Sequence, residues 1–182
     1  MTHPSTTDQL FIELVDRYLE RVYRYLRNLT RKEEAARELA HDTFLSLRPL
    51  VDAGKIPSEA YVFTTARNAA LSHWRRRQSE DRKRAGASAE NDQAGGIWYS
   101  DDAATSPTQE VERRELRLGL EAALAKLPED QRSVFLLSEV EGLKYDKIAE
   151  VMGIPAGTVA SRKHNAAHAL RAELERMGHA LP

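Results

Sequence analysis

The C-terminal third of the sequence carries polar side chains of the kind that hydrogen-bond to the edges of DNA bases. They follow a glycine and lie early in a long helical stretch, at Thr158, Ser161, Lys163, His164 and Asn165. Asparagine can bond adenine through two atoms, and lysine can contact guanine. We place Tyr145 in the same DNA-binding set, together with Arg162, which would grip phosphate or a neighbouring helix.

These residues need a scaffold, and the stretch LKYDKIAEVMGIPAGTVASRKHNAAHALRAEL predicts one. It indicates a short helix from about Lys144 to Met152, a turn at Gly153, and a longer helix from about Pro155 to Leu174. Apolar positions would pack the two helices together, at Ile148, Ala149, Val151, Ile154 and Val159. This layout is typical of a helix-turn-helix, whose second helix enters a major groove. Spacing alone also allows an ordinary helical hairpin.

Arginines and aromatic rings form a second group of candidate nucleic-acid contacts, near the end of another predicted helix. Arg75, Arg76 and Arg77 follow Trp74 directly, and Tyr61 lies earlier in the same helix. Melted DNA offers phosphates to arginine and unstacked bases to aromatic rings. The alternative is that Trp74 belongs to the core and the charged run is a solvated helix end.

The sequence offers little support for an enzyme. It contains no cysteine, which excludes disulfides, thiolate metal sites and cysteine nucleophiles. His164 and His168 lie four residues apart, but no third ligand stands in a suitable motif, so we predict a surface pair and no metal or other cofactor. No phosphate-cradling loop of the GxxxxGK[ST] type occurs either.

The N-terminal part predicts three helices. An apolar stripe of helical period runs from Leu10 to Leu29, and a second stripe ends near Arg48, before Pro49. Helical spacing resumes from Ala60 to Arg77, after a loop in VDAGKIPS.

The start of the second helix has its own signal. Thr30 precedes Glu33 by three residues, which is the spacing of a capping box.

The remaining chain predicts a linker and a second helical domain. Residues 85–108 are rich in Ala, Gly, Ser and Asp and favour a flexible acidic linker, in which the apolar triplet Ile97, Trp98, Tyr99 would dock on a domain or bind a partner. Helical pattern returns from about Gln109, and Pro128 would end that helix and begin the next. We therefore predict an all-α protein with domains at 1–84 and 109–182.

Composition agrees with a helical protein that binds nucleic acid only through local clusters. The 182 residues are 30% charged with a net charge of −1, which argues against indiscriminate binding through an overall positive surface. The first residues, MTHPSTTDQL, show no export signal, and no stretch is apolar enough to cross a bilayer. We expect a cytoplasmic protein without membrane insertion.

The amino-acid sequences of two parts of the chain resemble a known family. LPEDQRSVFLLSEVEGLKYDKIAEVMGIPAGTVASRKHNAAHAL is similar to the fourth conserved region of extracytoplasmic-function (ECF) sigma factors of bacterial RNA polymerase. LVDRYLERVYRYL, AARELAHDTFLSL and YVFTTARNAALSHWRRR resemble the second conserved region, in the family's order. The resemblance covers most of the chain. It implies a non-enzymatic protein that brings core RNA polymerase to promoter DNA, with an anti-sigma factor as a further partner.

The resemblance also implies roles for particular residues. The second helix would dock on the clamp helices of the largest polymerase subunit through Glu38, His41, Asp42 and Leu45. The third helix would recognise and open the minus-ten element, through Tyr61, Arg67, Asn68, Trp74, Arg75, Arg76 and Arg77. The loop at Val51 to Ser58 resembles the place where the family captures a flipped base. The helix-turn-helix would read the minus-thirty-five element as duplex.

Some positions depart from the family's pattern, and one rival function stays open. Asn165 stands where the family is usually basic, and Lys163 is basic where an apolar residue is common, so promoter preference would differ from that of better-matched relatives. The residues Glu38 and Asp42 could also be merely solvated charges on one helical face. The alternative function is a stand-alone helix-turn-helix regulator, which would need no strand-opening helix.

Overall fold

Every regular element is helical within residues 6–83 and 107–179, which are the residues that this computed structural model describes. The chain divides into two units, Met1–Gln93 and Ala94–Pro182. This confirms the predicted all-α class with two helical domains. Most of the predicted linker, including the triplet at 97–99, lies outside the described residues. None of the described helices combines the length and apolar character needed to cross a membrane.

Over residues 6–83 the first unit is a bundle of three helices, α1 (Thr6–Thr30), α2 (Glu33–Asp52) and α3 (Glu59–Lys83). Its centre is the edge-to-face contact between Tyr25 of α1 and Phe63 of α3, with ring centroids 5.7 Å apart and an interplanar angle of 84°. Both rings are fully buried, as is Leu47 of α2. The predicted apolar stripes are thus the surfaces on which the three helices pack.

Charged side chains also join these helices. Arg21 of α1 bonds Glu59 of α3 at 2.5 Å, and its guanidinium lies 5.3 Å from the centre of the Phe63 ring. Arg48 of α2 reaches Asp8 of α1 at 2.5 Å and lies over the Phe11 ring. Both arginines lie at the edge of the core, so that their stems pack on apolar groups while their charges stay paired.

The predicted capping box between Thr30 and Glu33 is wrong. The residue that caps α2 is Lys32, and its side chain makes no capping hydrogen bond. Thr30 remains in the last turn of α1, where its hydroxyl donates to the Leu26 carbonyl at 2.8 Å. Arg31 then closes α1 in the left-handed region with φ 63°, and its N–H bonds the Arg27 carbonyl at 2.9 Å. The tight connection leaves no extended residue at position 30, which a capping box requires.

The prediction that the second helix ends before Pro49 is also wrong, because α2 continues to Asp52. A proline this close to a helix end removes one N–H bond without breaking a long run. Val51, which is buried, and the ion pair between Arg48 and Asp52 at 2.7 Å hold the last turn in place. The Pro49 carbonyl still accepts the N–H of Ala53 at 3.1 Å.

In residues 107–179 the second unit contains four α-helices and a π-helical turn. They are α4 (Pro107–Lys126), α5 (Glu129–Phe135), the π turn (Leu136–Val140), α6 (Tyr145–Met152) and α7 (Ala156–Arg176). Helix α4 begins two residues before the predicted Gln109, and Pro128 begins α5 as predicted. Fully buried side chains from successive elements meet in one core, at Val134, Leu136, Leu137, Ile148, Val159 and Ala166.

The junctions of this unit are fixed by hydrogen bonds. Arg132 of α5 donates to the carbonyls of Ala125 and Leu127 at 3.2 and 2.9 Å, which satisfies acceptors at the end of α4. The π turn closes with the Glu141 N–H on the Leu136 carbonyl at 3.0 Å, and Gly142 follows with φ 68°. Gly142, whose left-handed conformation suits a helix C-terminus, thus ends this helical segment.

An ion-pair cluster joins α4 to the end of α7. Glu173 accepts from Lys126 at 2.5 Å and from Arg176 at 2.5 Å. The Glu173 side chain is only 16% exposed, while those of Lys126 and Arg176 are mostly in solvent. These two cations lower the pKa of Glu173 from 4.5 to about 2, and Arg176 has the larger effect.

We expect Glu173 to make the second unit sensitive to acid. A carboxylate whose pKa falls on folding stabilises the fold above its unfolded pKa, and this contribution is lost as the pH falls through the folded pKa. Here that window runs from 4.5 down to about 2. Replacement Glu173→Gln should therefore lower the free energy of unfolding near neutral pH and have a smaller effect in strong acid. Urea unfolding followed by circular dichroism at several pH values measures this.

The matched control is Glu175→Gln, which removes an exposed carboxylate two residues further along α7. Its effect should be smaller than that of Glu173→Gln. A Glu173→Gln effect that is equal at neutral and acidic pH would contradict the assignment.

Candidate nucleic-acid interface

The helix-turn-helix is present where the sequence predicts it. Helix α6 ends at Gly153, which has φ 65°, and the Ile154 N–H bonds the Ala149 carbonyl at 3.2 Å across the turn. Helix α7 begins after Pro155. Ile148 and Val159 are fully buried where the two helices pack. Because its other side is exposed among the described residues 107–179, α7 can present side chains to a ligand.

The exposed side of α7 holds three of the predicted base-reading residues. Ser161, His164 and Asn165 are exposed, and Thr158 is half-buried beside them. The Ser161 hydroxyl donates to the Thr158 carbonyl at 3.0 Å, which leaves its oxygen lone pairs as acceptors for a ligand. His168 is exposed one turn further along, and the described residues contain no cluster that could hold a metal ion.

The two basic side chains between these residues are held by acids from neighbouring elements. Arg162 bonds Asp130 of α5 at 2.9 Å, which is the neighbouring-helix alternative of the sequence analysis. Lys163 bonds Glu139 of the π turn at 2.6 Å, and its ammonium lies 5.4 Å from the centre of the Tyr145 ring. Sequence reasoning missed Glu139 and Asp130, because their partners lie far along the chain.

The pKa values of the Lys163 pair reflect this contact. The pKa of Glu139 is lowered, first by its hydrogen bond with Lys163 and also by the Ser138 hydroxyl. The pKa of Lys163 is raised, first by Glu139 and also by Tyr145, against the opposite effect of burial. Both groups therefore keep their charge over a wide pH range.

Helix α3 divides its predicted DNA-binding residues between two sides. Tyr61, Asn68 and Arg75 recur at helical spacing, and all three are exposed. Arg76 and Arg77 are exposed as well. Arg67 and Trp74 are half-buried and lie seven residues apart, toward the side of α3 that packs on the core.

The loop before α3 lies beside this exposed side. The Tyr61 N–H bonds the Ser58 hydroxyl at 3.2 Å, so Ser58 fixes the first turn of α3. Tyr61 is 52% exposed, and Ile56 in the loop is 70% exposed, whereas Pro57 is buried. Ile56, five residues before Tyr61 in the chain, is a second exposed apolar group that sequence reasoning did not single out.

Helix α2 presents its predicted docking residues on one outward side. Glu38, His41, Asp42 and Leu45 are all exposed, at the spacing of neighbouring turns. Leu45 is 55% exposed and borders two grooves of about 490 Å³ each. The groove toward α1 is mainly apolar, with Phe11, Val15, Leu19, Tyr23 and Phe44 in its wall.

The groove toward α3 is polar. Its wall includes Glu38 and Asp42 from α2 and His73 and Arg76 from α3. Burial and then the charge of Arg77 lower the pKa of His73, so the imidazole tends to be neutral. Sequence reasoning missed His73, which gave no signal because its position depends on how α2 and α3 pack.

Comparison with known proteins assigns both units. The family described as Sigma-70 region 2 matches residues 14–80, and Sigma-70, region 4 matches residues 117–170. The chain is 32% identical over 169 residues to the ECF RNA polymerase sigma factor SigL of Mycobacterium tuberculosis, covering 91% of this chain and 89% of that protein. The chain belongs to the ECF sigma factors.

Two further comparisons agree with this membership. The ECF sigma factor SigE of Mycolicibacterium smegmatis is 32% identical over 162 residues, which cover 87% of this chain and 59% of that protein. The fold resembles that of the sigma factor RpoE of Bartonella quintana, solved with the anti-sigma factor NepR. The TM-score is 0.71 with 23% identity, over 91% of this chain and 96% of that one. In this ECF sigma factor, α1–α3 therefore belong to region 2 and α5–α7 to region 4.

The turn of the helix-turn-helix in region 4 should depend on Gly153. A side chain at φ 65° costs roughly 1 to 2 kcal/mol, although the space around Gly153 is open. Gly153→Ala should therefore lower the free energy of unfolding by about 1 kcal/mol.

Gly157→Ala is the matched control, because Gly157 lies within α7 and also has open space around it. It should leave stability unchanged or raise it by up to about 1 kcal/mol. Urea unfolding compares the two variants, and a Gly153→Ala protein as stable as wild type would contradict the role of the turn.

Proposed function

We propose that this ECF sigma factor is a non-catalytic cytoplasmic protein that binds core RNA polymerase and directs promoter-specific transcription initiation. The domains would be residues 1–84, which bind polymerase and open the minus-ten element, and 109–182, which read the minus-thirty-five element as duplex. Residues 85–108 would link them. The observation that carries the proposal is that each matched sigma-70 region has several of its predicted binding residues together on one exposed helical side.

The outward side of α2 is our candidate for the polymerase contact. Leu45 supplies apolar area at its centre, and Glu38 and Asp42 add negative charge at its edge. An apolar anchor surrounded by charges is the usual form of a protein interface, in which the anchor supplies affinity and the charges orient the partner. His41 lies on the same side and borders the apolar groove.

The exposed side of α3 is our candidate for the opened minus-ten element. Tyr61 and Ile56 offer apolar surface on which an unstacked base can lie, and Asn68 can hydrogen-bond a base edge. Arg75, Arg76 and Arg77 continue the helix and supply charge for phosphates. Arg67 and Trp74 lie nearer the core, so we propose that they support this side of α3.

Helix α7 is our candidate for duplex recognition. Ser161, His164 and Asn165 would contact base edges in the major groove, with Thr158 beside them. Tyr145, Arg162 and Lys163 border this side in the ion pairs and ring contact described above.

An anti-sigma factor is a further proposed partner. RpoE of Bartonella quintana, whose fold this chain resembles, was solved in complex with the anti-sigma factor NepR. The apolar groove between α1 and α2 offers a surface of the kind that a partner helix covers.

Run-off transcription tests the proposal. Purified bacterial core polymerase would be given a library of genomic promoter fragments with and without this protein. We expect transcripts from defined start sites only when the protein is present. A protein that binds duplex DNA but not core polymerase would instead be a stand-alone helix-turn-helix regulator.

The polymerase contact predicts a specific loss of affinity. Leu45→Arg places a charge at the centre of the α2 side and should weaken binding to core polymerase by about tenfold or more. Leu118→Arg is the control, because Leu118 is 52% exposed but lies on α4. Fluorescence titration of labelled protein with core polymerase measures both affinities. Equal affinities for the two variants would contradict the docking role of α2.

The strand-opening role predicts a different pattern for Tyr61. Stacking of one base on a ring contributes about 1 to 3 kcal/mol, so Tyr61→Ala should reduce promoter opening by at least about fivefold. Tyr61→Phe keeps the ring and should open promoters nearly as wild type does. Both variants should bind core polymerase normally. Opening is followed by the fluorescence of 2-aminopurine in the minus-ten element, and normal opening by Tyr61→Ala would refute the assignment.

A further inference from the structure

Three elements of the second unit meet at the ammonium group of Lys163, beside the exposed side of α7. Glu139 comes from the π turn, Tyr145 begins α6, and Lys163 belongs to α7. The ammonium bonds the Glu139 carboxylate at 2.6 Å and lies 5.4 Å from the centre of the Tyr145 ring. We call these three residues the lysine clamp.

The clamp compensates the lysine charge inside the protein. The Lys163 side chain is 28% exposed and that of Glu139 is 43% exposed, so solvent screens the pair only in part. The Ser138 hydroxyl donates to the same Glu139 oxygen at 3.1 Å, which holds the carboxylate in place. A short charge-assisted bond and a ring face both favour this position of the ammonium over free solvent.

The exposed residues next to the lysine clamp can form hydrogen bonds but carry no fixed positive charge. Ser161 and Asn165 are neutral, and His164 is exposed in the turn between them. Arg162 is paired with Asp130. Contacts to phosphates raise affinity for every duplex, whereas contacts to base edges distinguish one sequence from another. A helix whose cations are paired with acids therefore owes more of its DNA affinity to base-edge contacts than to phosphate contacts.

We propose that Glu139 is a specificity-determining residue for promoter recognition: by holding Lys163 over Tyr145 it keeps one positive charge away from the DNA phosphates. This inference rests on the proposed reading of duplex DNA by α7. Glu139 does not touch DNA in this account. It acts through Lys163, and it lowers binding to non-promoter duplex more than binding to the promoter.

The test is the salt dependence of DNA binding by the full chain assembled with core polymerase. The probes are a promoter fragment from the run-off screen and a shuffled duplex of the same length. Glu139→Gln releases Lys163, which adds about one phosphate contact. The loss of affinity for the shuffled duplex between roughly 50 and 200 mM salt should then grow about threefold. Preference for the promoter should fall by a similar factor at low salt.

Two variants separate the clamp from other effects. Lys163→Met keeps a long side chain without the charge, and by itself it should leave the salt dependence unchanged. Combined with Glu139→Gln, it should abolish the effect of that substitution. Glu175→Gln changes the net charge equally from an exposed position on α7 and should have no effect. Thermal melts of each variant check that the fold is kept.

The outcomes distinguish this inference from the proposed function. If Glu139→Gln leaves the salt dependence unchanged while wild type keeps its promoter preference, the proposed role of Glu139 is overturned and the proposed function stands. A Glu139→Gln effect that persists beside Lys163→Met also overturns that role, since the carboxylate would then repel DNA directly. A weaker salt dependence in Lys163→Met alone would mean that wild-type Lys163 already contacts phosphate, which overturns it too. Absence of promoter preference in wild type would refute the proposed function itself.

Discussion

The contact between Tyr25 and Phe63 fixes the geometry on which the first unit depends. Two buried rings at 5.7 Å hold α1 against α3, and α2 packs against both. Because the apolar sides of all three helices are used in this way, the charged and polar sides must face outward. One packing arrangement therefore exposes two different surfaces, an acidic one on α2 and an arginine-rich one at the end of α3. The proposed function requires both, because it needs one surface for polymerase and another for promoter DNA.

The polar groove between α2 and α3 lies where these two surfaces approach each other. Glu38 and Asp42 stand on one wall, and His73 and Arg76 stand on the other. The pKa of His73 is lowered by burial and by Arg77, and it is raised by Glu38. The electrostatics of the acidic surface of α2 and of the arginine-rich surface of α3 are thus coupled within one small domain. A change of charge on either helix is felt by the other.

Sequence patterns predicted the features that depend on burial and failed where the fold depends on local detail or distant partners. The apolar stripes of α1, α2 and α3 could be predicted because packing requires apolar residues at helical spacing. Gly153 likewise indicated the turn of the helix-turn-helix. The capping box at Thr30 failed because Arg31 adopts a left-handed conformation that nothing in its type requires. The end at Pro49 failed because a buried valine and an ion pair outweigh one lost hydrogen bond. The ion pairs of Arg162 with Asp130 and of Lys163 with Glu139 could not be predicted from the sequence, because these partners are distant along the chain and meet only in the folded structure.

The position of Glu139 depends on the number of residues in the π turn at 136–140 as well as on their types. In this turn the Glu141 N–H reaches back five residues to the Leu136 carbonyl, so the segment holds more residues than an α-helical path would need. Loss of one residue between Leu136 and Glu139 would let the segment continue as ordinary α-helix and would rotate Glu139 by about 100° relative to α5. Lys163 would then lose its partner although α7 kept every one of its side chains. A deletion of one residue outside α7 would thus change the charge beside its exposed side without changing its own sequence.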